Sequence, residues 1–291
     1  MKLQTIITEE LKDTWLPSFF QTSPLFWPVI PAFTSFREIT GAANNLQWPA
    51  LIHCNQLLAN NIINDNQKNI RFVEQSLHCQ TFEEEYEPRI YLSGQVQTRL
   101  ENWHDFFQVL VWKTFPKTKS LLNKIHYDAA VVRRESNMNQ RGPQENFVTL
   151  FDECGTVVLA TEKRMLDLIR DFNWKTLFIE HKEDFGKTID CCVFGHAMYE
   201  KALNPYIGMT SHCLLLQVDD AYFQLSTKNK TSYIDNIIVN HIKQMNSLNT
   251  INTRCLSPLP ILGVPGWHKN QTASFYENEK YFRSGRKKDK T

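Results

Sequence analysis

The run Asn102-Trp-His-Asp-Phe-Phe107 sets an imidazole, His104, beside a carboxylate, Asp105, where a stretch apolar on nearly every side begins. A helix this oily has two uses for polar groups: they cap its end or they work in a site. If Asn102 is the cap, Asp105 falls at the third helical position and completes a capping box. The alternative is chemical. The positive end of a helix favours a neutral imidazole and an ionised carboxylate, the states required of a metal ligand or general base. Arg99, just upstream, carries the fork that clamps a carboxylate or phosphate, and it can equally pair with Asp105 or Glu101.

A second constellation is Gly195-His-Ala-Met-Tyr-Glu200. His196 and Glu200 are four apart and share a face of the helix expected from His196 to Leu203. Such a pair can ligate one metal, act as base and orienter, or hydrogen bond to each other on a helix edge. The spacing is not His-Glu-x-x-His, which excludes that zinc-protease motif.

Asp152 and Glu153 form the third group. They fall between Phe147–Phe151 and Thr156–Leu159, two runs that read as strands of a hairpin with Asp152-Glu-Cys-Gly155 as its connection. There the acids could bind a cation as reserve ligands, serve acid–base chemistry, or be turn formers and nothing more. Cys154 has no basic residue beside it in sequence to lower its pKa. Lys119, Asn123 and His126 fall opposite the apolar stripe Leu121, Leu122, Ile125 and Ala129 and read as a solvated helix face. His212 offers a further ligand or a strand-edge histidine.

The elements positioning these residues are mixed. Helices are expected over about 102–114, 116–134, 162–171, 196–203 and 233–245. Short strands are expected over 70–73, 89–92, 188–194 and 212–218, with another near 177–179. Pro17, Pro24, Pro28 and Pro31 among Trp15, Phe19, Phe20, Phe26, Trp27, Phe33 and Phe36 indicate an irregular N-terminal segment wrapped over the core. Without strict strand–helix alternation, the fold class is α+β, a single mixed domain with a small sheet and several packed helices. Its bounds are 1–283, with an aromatic and proline-rich part to 85, and 284–291 is a basic tail, a solvated terminus.

At 291 residues the chain can bury a full core. A net charge of +1 gives no global attraction to nucleic acid or an anionic membrane. Seven cysteines without a Cys-x-x-Cys pair read as reduced thiols, and Met1-Lys-Leu-Gln-Thr lacks the apolar run of a signal peptide. A cytoplasmic protein is expected. Phosphate-binding glycine loops, a nucleophile elbow and zinc-finger spacings are all missing from the sequence.

Several blocks carry a resemblance: Thr98-Arg-Leu-Glu-Asn-Trp-His-Asp-Phe-Phe107, Phe115-Pro-Lys-Thr-Lys119 with Leu122-Asn123, Thr149-Leu-Phe-Asp-Glu-Cys-Gly155, Phe194-Gly-His-Ala197 and Pro258-Leu-Pro-Ile-Leu-Gly-Val-Pro-Gly-Trp267. In this order, from about 86 to 283, the chain resembles a proteobacterial family described only as a domain of unknown function (three-zero-two-five). The resemblance implies a bacterial cytosolic protein and brings no activity, cofactor or catalytic residue.

The residues themselves point to a metal-assisted hydrolase acting on a phosphoester or similar small anionic substrate. In that scheme His104, Asp105 and His196 hold a divalent ion, zinc or manganese, with Asp152 and Glu153 in reserve. Glu200 activates water, and Arg99 binds the anion. The competing expectation is a non-catalytic binding or adaptor protein whose polar residues are buried hydrogen-bond hubs. The site scheme requires His104 and His196 to converge on one cleft.

Overall fold

The computed structural model describes residues 14–41, 47–59, 62–76 and 81–285. Proline governs the first span. Pro24–Val29 is held in 3-10 turns, and a regular helix begins only at Ile30, with Pro31 tolerated in its first turn. The expected irregular wrap thus ends at Val29, and Ile30–Thr40 is a helix, α1, closed by Gly41 at φ 63°. Leu51–Leu58 is α2. Trp15, Phe19, Phe26, Phe33 and Phe36 are buried, and their rings pack on Trp103, Phe106 and Phe107. One hydrophobic cluster runs from Trp15 to Phe282, so these aromatics and the rest of the chain share a core.

Arg71–Glu74 is β1, and it pairs in parallel with β2, Gln95–Thr98. Between them Tyr86–Ser93 is a helix, α3, where a strand was expected over 89–92. Parallel neighbours need a crossover connection, usually helical, and α3 supplies it. Gly94 ends α3 at φ 73° and turns the chain into β2.

Trp103–Thr114 is α4, buried continuously from Asp105 to Trp112. Pro116–Glu135 is α5, opened by its proline. Pro143–Cys154 is α6, and here the structure departs furthest from expectation. Residues 147–151 are helical, and Cys154 passes directly into β3, Gly155–Ala160. The expected hairpin is not formed. Phe147, Val148 and Phe151 recur at helical spacing, Pro143 opens the helix, and the Glu145 carboxylate accepts from the Gly142 N–H at 3.1 Å. Asp152 and Glu153 therefore occupy a last helical turn, at its negative end, rather than a turn between strands.

Lys163–Arg170 is α7, Ile189–Val193 β4, His196–Leu203 α8, Thr210–Gln217 β5, Thr227–Ser247 α9 and Ser257–Pro260 β6. Four strands form one sheet of order β4–β3–β5–β6, in which β3 runs parallel to β5 and the other pairs are antiparallel. Every residue of β3 is buried, as a central strand requires. Thr176–Glu180, where a strand was expected near 177–179, is a π-helical turn with Leu177 and Phe178 buried; so short an apolar run does not distinguish the two by periodicity. Small sheets and several packed helices make this a single α+β domain. Among the described residues no helix is long and apolar enough to cross a membrane. Residues 286–291, the bulk of the basic tail, lie outside the described residues.

Candidate metal centre

Asn102 is extended, and its Oδ1 accepts from the Asp105 N–H at 3.1 Å, so α4 starts where the cap dictates. This seats His104 in the first turn, above a ladder of aromatics. Three residues on, Phe107 stacks on Tyr199 of α8 with ring centroids 5.5 Å apart. Tyr199 is in turn three residues beyond His196, and its hydroxyl donates to Val193 O at 2.6 Å. The aromatic stack thus holds α4 against α8 in a register that faces His104 to His196. Their Nε2 atoms are 2.9 Å apart, and the rings are nearly perpendicular.

The third side chain arrives because two glycines cross. Gly195 N–H donates to Gly155 O at 2.9 Å, bringing the start of α8 onto the end of α6. A Cβ at Gly195 would sit 2.5 Å from Gly155 N and 2.6 Å from Cys154 N, against backbone that cannot yield. Only glycine permits this approach. It places Glu153 Oε2 at 3.8 Å from His196 Nε2 and 4.0 Å from His104 Nε2.

Those three atoms make a triangle with sides of 2.9, 3.8 and 4.0 Å. The point equidistant from all three lies about 2.1 Å from each, which is the Zn–N and Zn–O bond length. His104, Glu153 and His196 could therefore hold a divalent ion, and three protein ligands would leave a position open for water or substrate.

The surrounding hydrogen bonds suit that use. His104 Nδ1–H donates to Glu200 Oε2 at 2.9 Å, leaving the Nε2 lone pair toward the triangle. Behind His196, Asp152 Oδ2 lies 3.6 Å from Nδ1, beyond hydrogen-bond length, and that buried nitrogen has no hydrogen-bond partner among the described residues. Lys119 Nζ donates to both Asp152 oxygens at 2.7 Å. Glu153 has no lysine or arginine within ion-pair distance among the described residues and sits at the negative end of α6.

Titration behaviour follows from these surroundings. His196 is only 2% exposed. Burial, reinforced by the charges of Lys119 and His104, overrides the nearby Asp152 and pushes the ring down to about 3. Burial also opposes charge on His104, but the hydrogen bond to Glu200 and the charges of Glu153, Glu200 and Asp105 outweigh it and raise the ring above its ordinary value. Burial raises Glu153, with Asp152 adding to the effect against the pull of His104. For Asp152 burial acts upward too, yet Lys119, and then His196, hold it below the usual carboxylate range.

The remaining candidates are placed differently. Asp105 does not join the triangle. Its carboxylate accepts from Arg99 N–H and, bidentately, from the Arg99 guanidinium at 3.0 Å. It closes no capping box on Asn102, and Arg99 is occupied by Asp105. Glu200 bonds His104 across the interface, acting through that ring. Asp152 backs His196 and sits on Lys119. His212, on β5, is outside the group. Cys154 has a basic neighbour after all, Lys201 Nζ at 3.4 Å from its sulfur, contributed by α8.

Sequence reasoning missed the α5 stripe. Lys119 and Asn123 are buried, and together with His126 they line a cleft of about 410 Å³ whose wall also includes His104, Glu153 and His196. The helical spacing of the stripe was visible in the sequence, but spacing alone does not tell a solvated face from the floor of a cleft.

Residues 70–286 match the model of a family described as Protein of unknown function (DUF3025). No curated protein and no solved structure matches the chain.

Proposed function

Since the chain belongs to the DUF3025 family, whose description assigns no activity, we propose from its geometry a metal-dependent hydrolase in which His104, His196 and Glu153 hold one divalent ion, zinc or manganese. The triangle of donor atoms, with a centre about 2.1 Å from each, is the observation that carries this reading. A bound ion would supply Lewis acidity and lower the pKa of a water in its open position. The protein's own residues do the rest. Glu200 keeps His104 in the tautomer that presents Nε2, Asp152, held by Lys119, sets its charge 3.6 Å behind His196 Nδ1, and the cleft receives the substrate.

An anionic substrate, a phosphoester or its like, was the expectation while Arg99 was free to bind it. With Arg99 clamped on Asp105, Lys119 on Asp152 and Arg133 on Glu145, the arginine or lysine of the cleft wall without an ion pair among the described residues is Arg141. The six described cysteines are unpaired, which supports a cytoplasmic setting.

Metal analysis of protein purified without chelator tests the reading. About one ion per chain is expected, lost in His104→Ala while the fold persists by circular dichroism. A second reading rests on the 2.9 Å separation of the two Nε2 atoms, which is also a hydrogen-bond distance. In a non-catalytic binding protein one shared proton would close the pair. Metal-free protein together with a His104→Ala variant that does not fold would favour that hub.

A further inference from the structure

All but one of the arginines and lysines that line the cleft are already answered. Arg99 pairs with Asp105 at 3.0 Å, Lys119 with Asp152 at 2.7 Å and Arg133 with Glu145 at 3.1 Å. Arg141, exposed at the rim, is the lining cation without an ion pair among the described residues. Three acids of the wall, Glu85, Glu87 and Glu153, have no arginine or lysine partner there. A phosphate dianion inside this cleft would meet carboxylates whose countercharges are taken.

The wall instead offers unmatched neutral hydrogen-bonding groups. The row His104, Gln108, Trp112 climbs α4 at four-residue spacing, and Lys119, Asn123, His126 climb α5 beside it. Three buried polar atoms in these rows have no partner among the described residues: Trp112 Nε1, Asn123 Oδ1 and His126 Nδ1. The first only donates and the second only accepts. The Asn123 amide orientation is set by its Nδ2, which donates to Glu87 O at 3.0 Å and Glu87 Oε2 at 2.7 Å. Natural proteins rarely leave such groups unmatched away from a ligand site.

From this juxtaposition we infer that the cleft beside the metal centre recognises an uncharged amide, as in a peptide or carboxamide. The amide C=O accepts from Trp112 and its N–H donates to Asn123. A phosphoester has acceptors only and leaves Asn123 Oδ1 and Glu87 facing like groups. The inference rests on the metal reading for the reaction but not for the binding. If the reaction follows, water adds to the amide carbon, the C–N bond breaks, and the amine leaves with a proton taken from that water.

The test titrates zinc-loaded and metal-free protein with acetyl-alanyl-alanine amide and, in parallel, with inorganic phosphate. It follows the indole N–H resonance that Trp112→Phe removes. The expected result is a saturable shift with the peptide in both forms and none with phosphate at matched concentration. Asn123→Leu should weaken peptide affinity roughly tenfold. A shift with phosphate, or none with the peptide, overturns the assignment; if Asn123→Leu does not fold, the two probes on the unaltered chain still decide. Zinc content, counted separately, keeps the two claims apart. A silent peptide beside stoichiometric zinc removes the amide alone, while a peptide shift without zinc binding removes the metal alone.

Discussion

Replacing Glu200 separates an orienting carboxylate from a metal ligand. Its Oε2 accepts from His104 Nδ1 at 2.9 Å, with both side chains 23% exposed. A hydrogen bond to a charged group contributes about 1.5–3 kcal/mol, and partial exposure argues for the lower end. Glu200→Ala should therefore weaken zinc binding about 10–30-fold, within the range seen when a carboxylate behind a ligating histidine is removed. Glu200→Gln keeps an acceptor, but a neutral bond has roughly half the strength, so its loss should be about 3–10-fold. Glu153→Ala deletes a ligand. Site energies of about 10–16 kcal/mol for a four-ligand zinc site give roughly 2.5–4 kcal/mol per ligand, hence a loss on the order of 10²–10³-fold. Competition titration against a chromophoric chelator at fixed pH measures all three. Two outcomes refute the reasoning: Glu200→Ala within about threefold of the parent protein, or Glu200→Ala as damaging as Glu153→Ala, which would make Glu200 a ligand itself.

Asp105→Asn should leave zinc affinity unchanged within about threefold while lowering unfolding free energy by about 1–3 kcal/mol in urea, because Asp105 holds Arg99 rather than the ion; a lost metal would show that Asp105 ligates. Gly195→Ala should abolish stoichiometric zinc and destabilise the fold, since its Cβ would push α8 off the end of α6. A well-folded, metal-replete variant contradicts the glycine crossing. The two histidines predict opposite pH effects on the metal-free protein. His196, depressed to about 3 from 6.5, confers stability that is full above 6.5 and falls by about 1.4 kcal/mol per pH unit as pH drops toward 3. His104, raised, confers stability that is full below 6.5 and lost as pH rises through its raised value. Urea melts across pH should show the acid-side slope in the parent protein and lose it in His196→Asn; equal slopes in the two would falsify the burial argument.

Local signals read well wherever the chain's neighbours decide the outcome. Asn102 capping α4, Pro116 opening α5 and the buried run 188–194 feeding a helix at His196 were all legible, because capping and apolar periodicity act within a few residues. Phe147 to Leu159 was misread because Asp-Glu-Cys-Gly between apolar runs mimics a hairpin connection. The deciding helical signals, Pro143 and Glu145, lie just upstream of that window. The π-helical turn at 176–180 and the helix at 86–93 went the same way: short apolar runs carry no period long enough to choose.

By itself the sequence determined the fold class, most of the helices and which side chains were available for chemistry, since composition, caps and periodicity are local properties. Only the tertiary structure decided which of those side chains meet. Glu153 joins His104 and His196 because Gly195 crosses Gly155. Glu200 serves a histidine 96 residues away rather than the one four residues before it. Lys119 turns into a cleft instead of toward water. Each of these depends on how α4, α5, α6 and α8 pack, and packing is set by long-range burial of aromatic surface that no window of sequence contains.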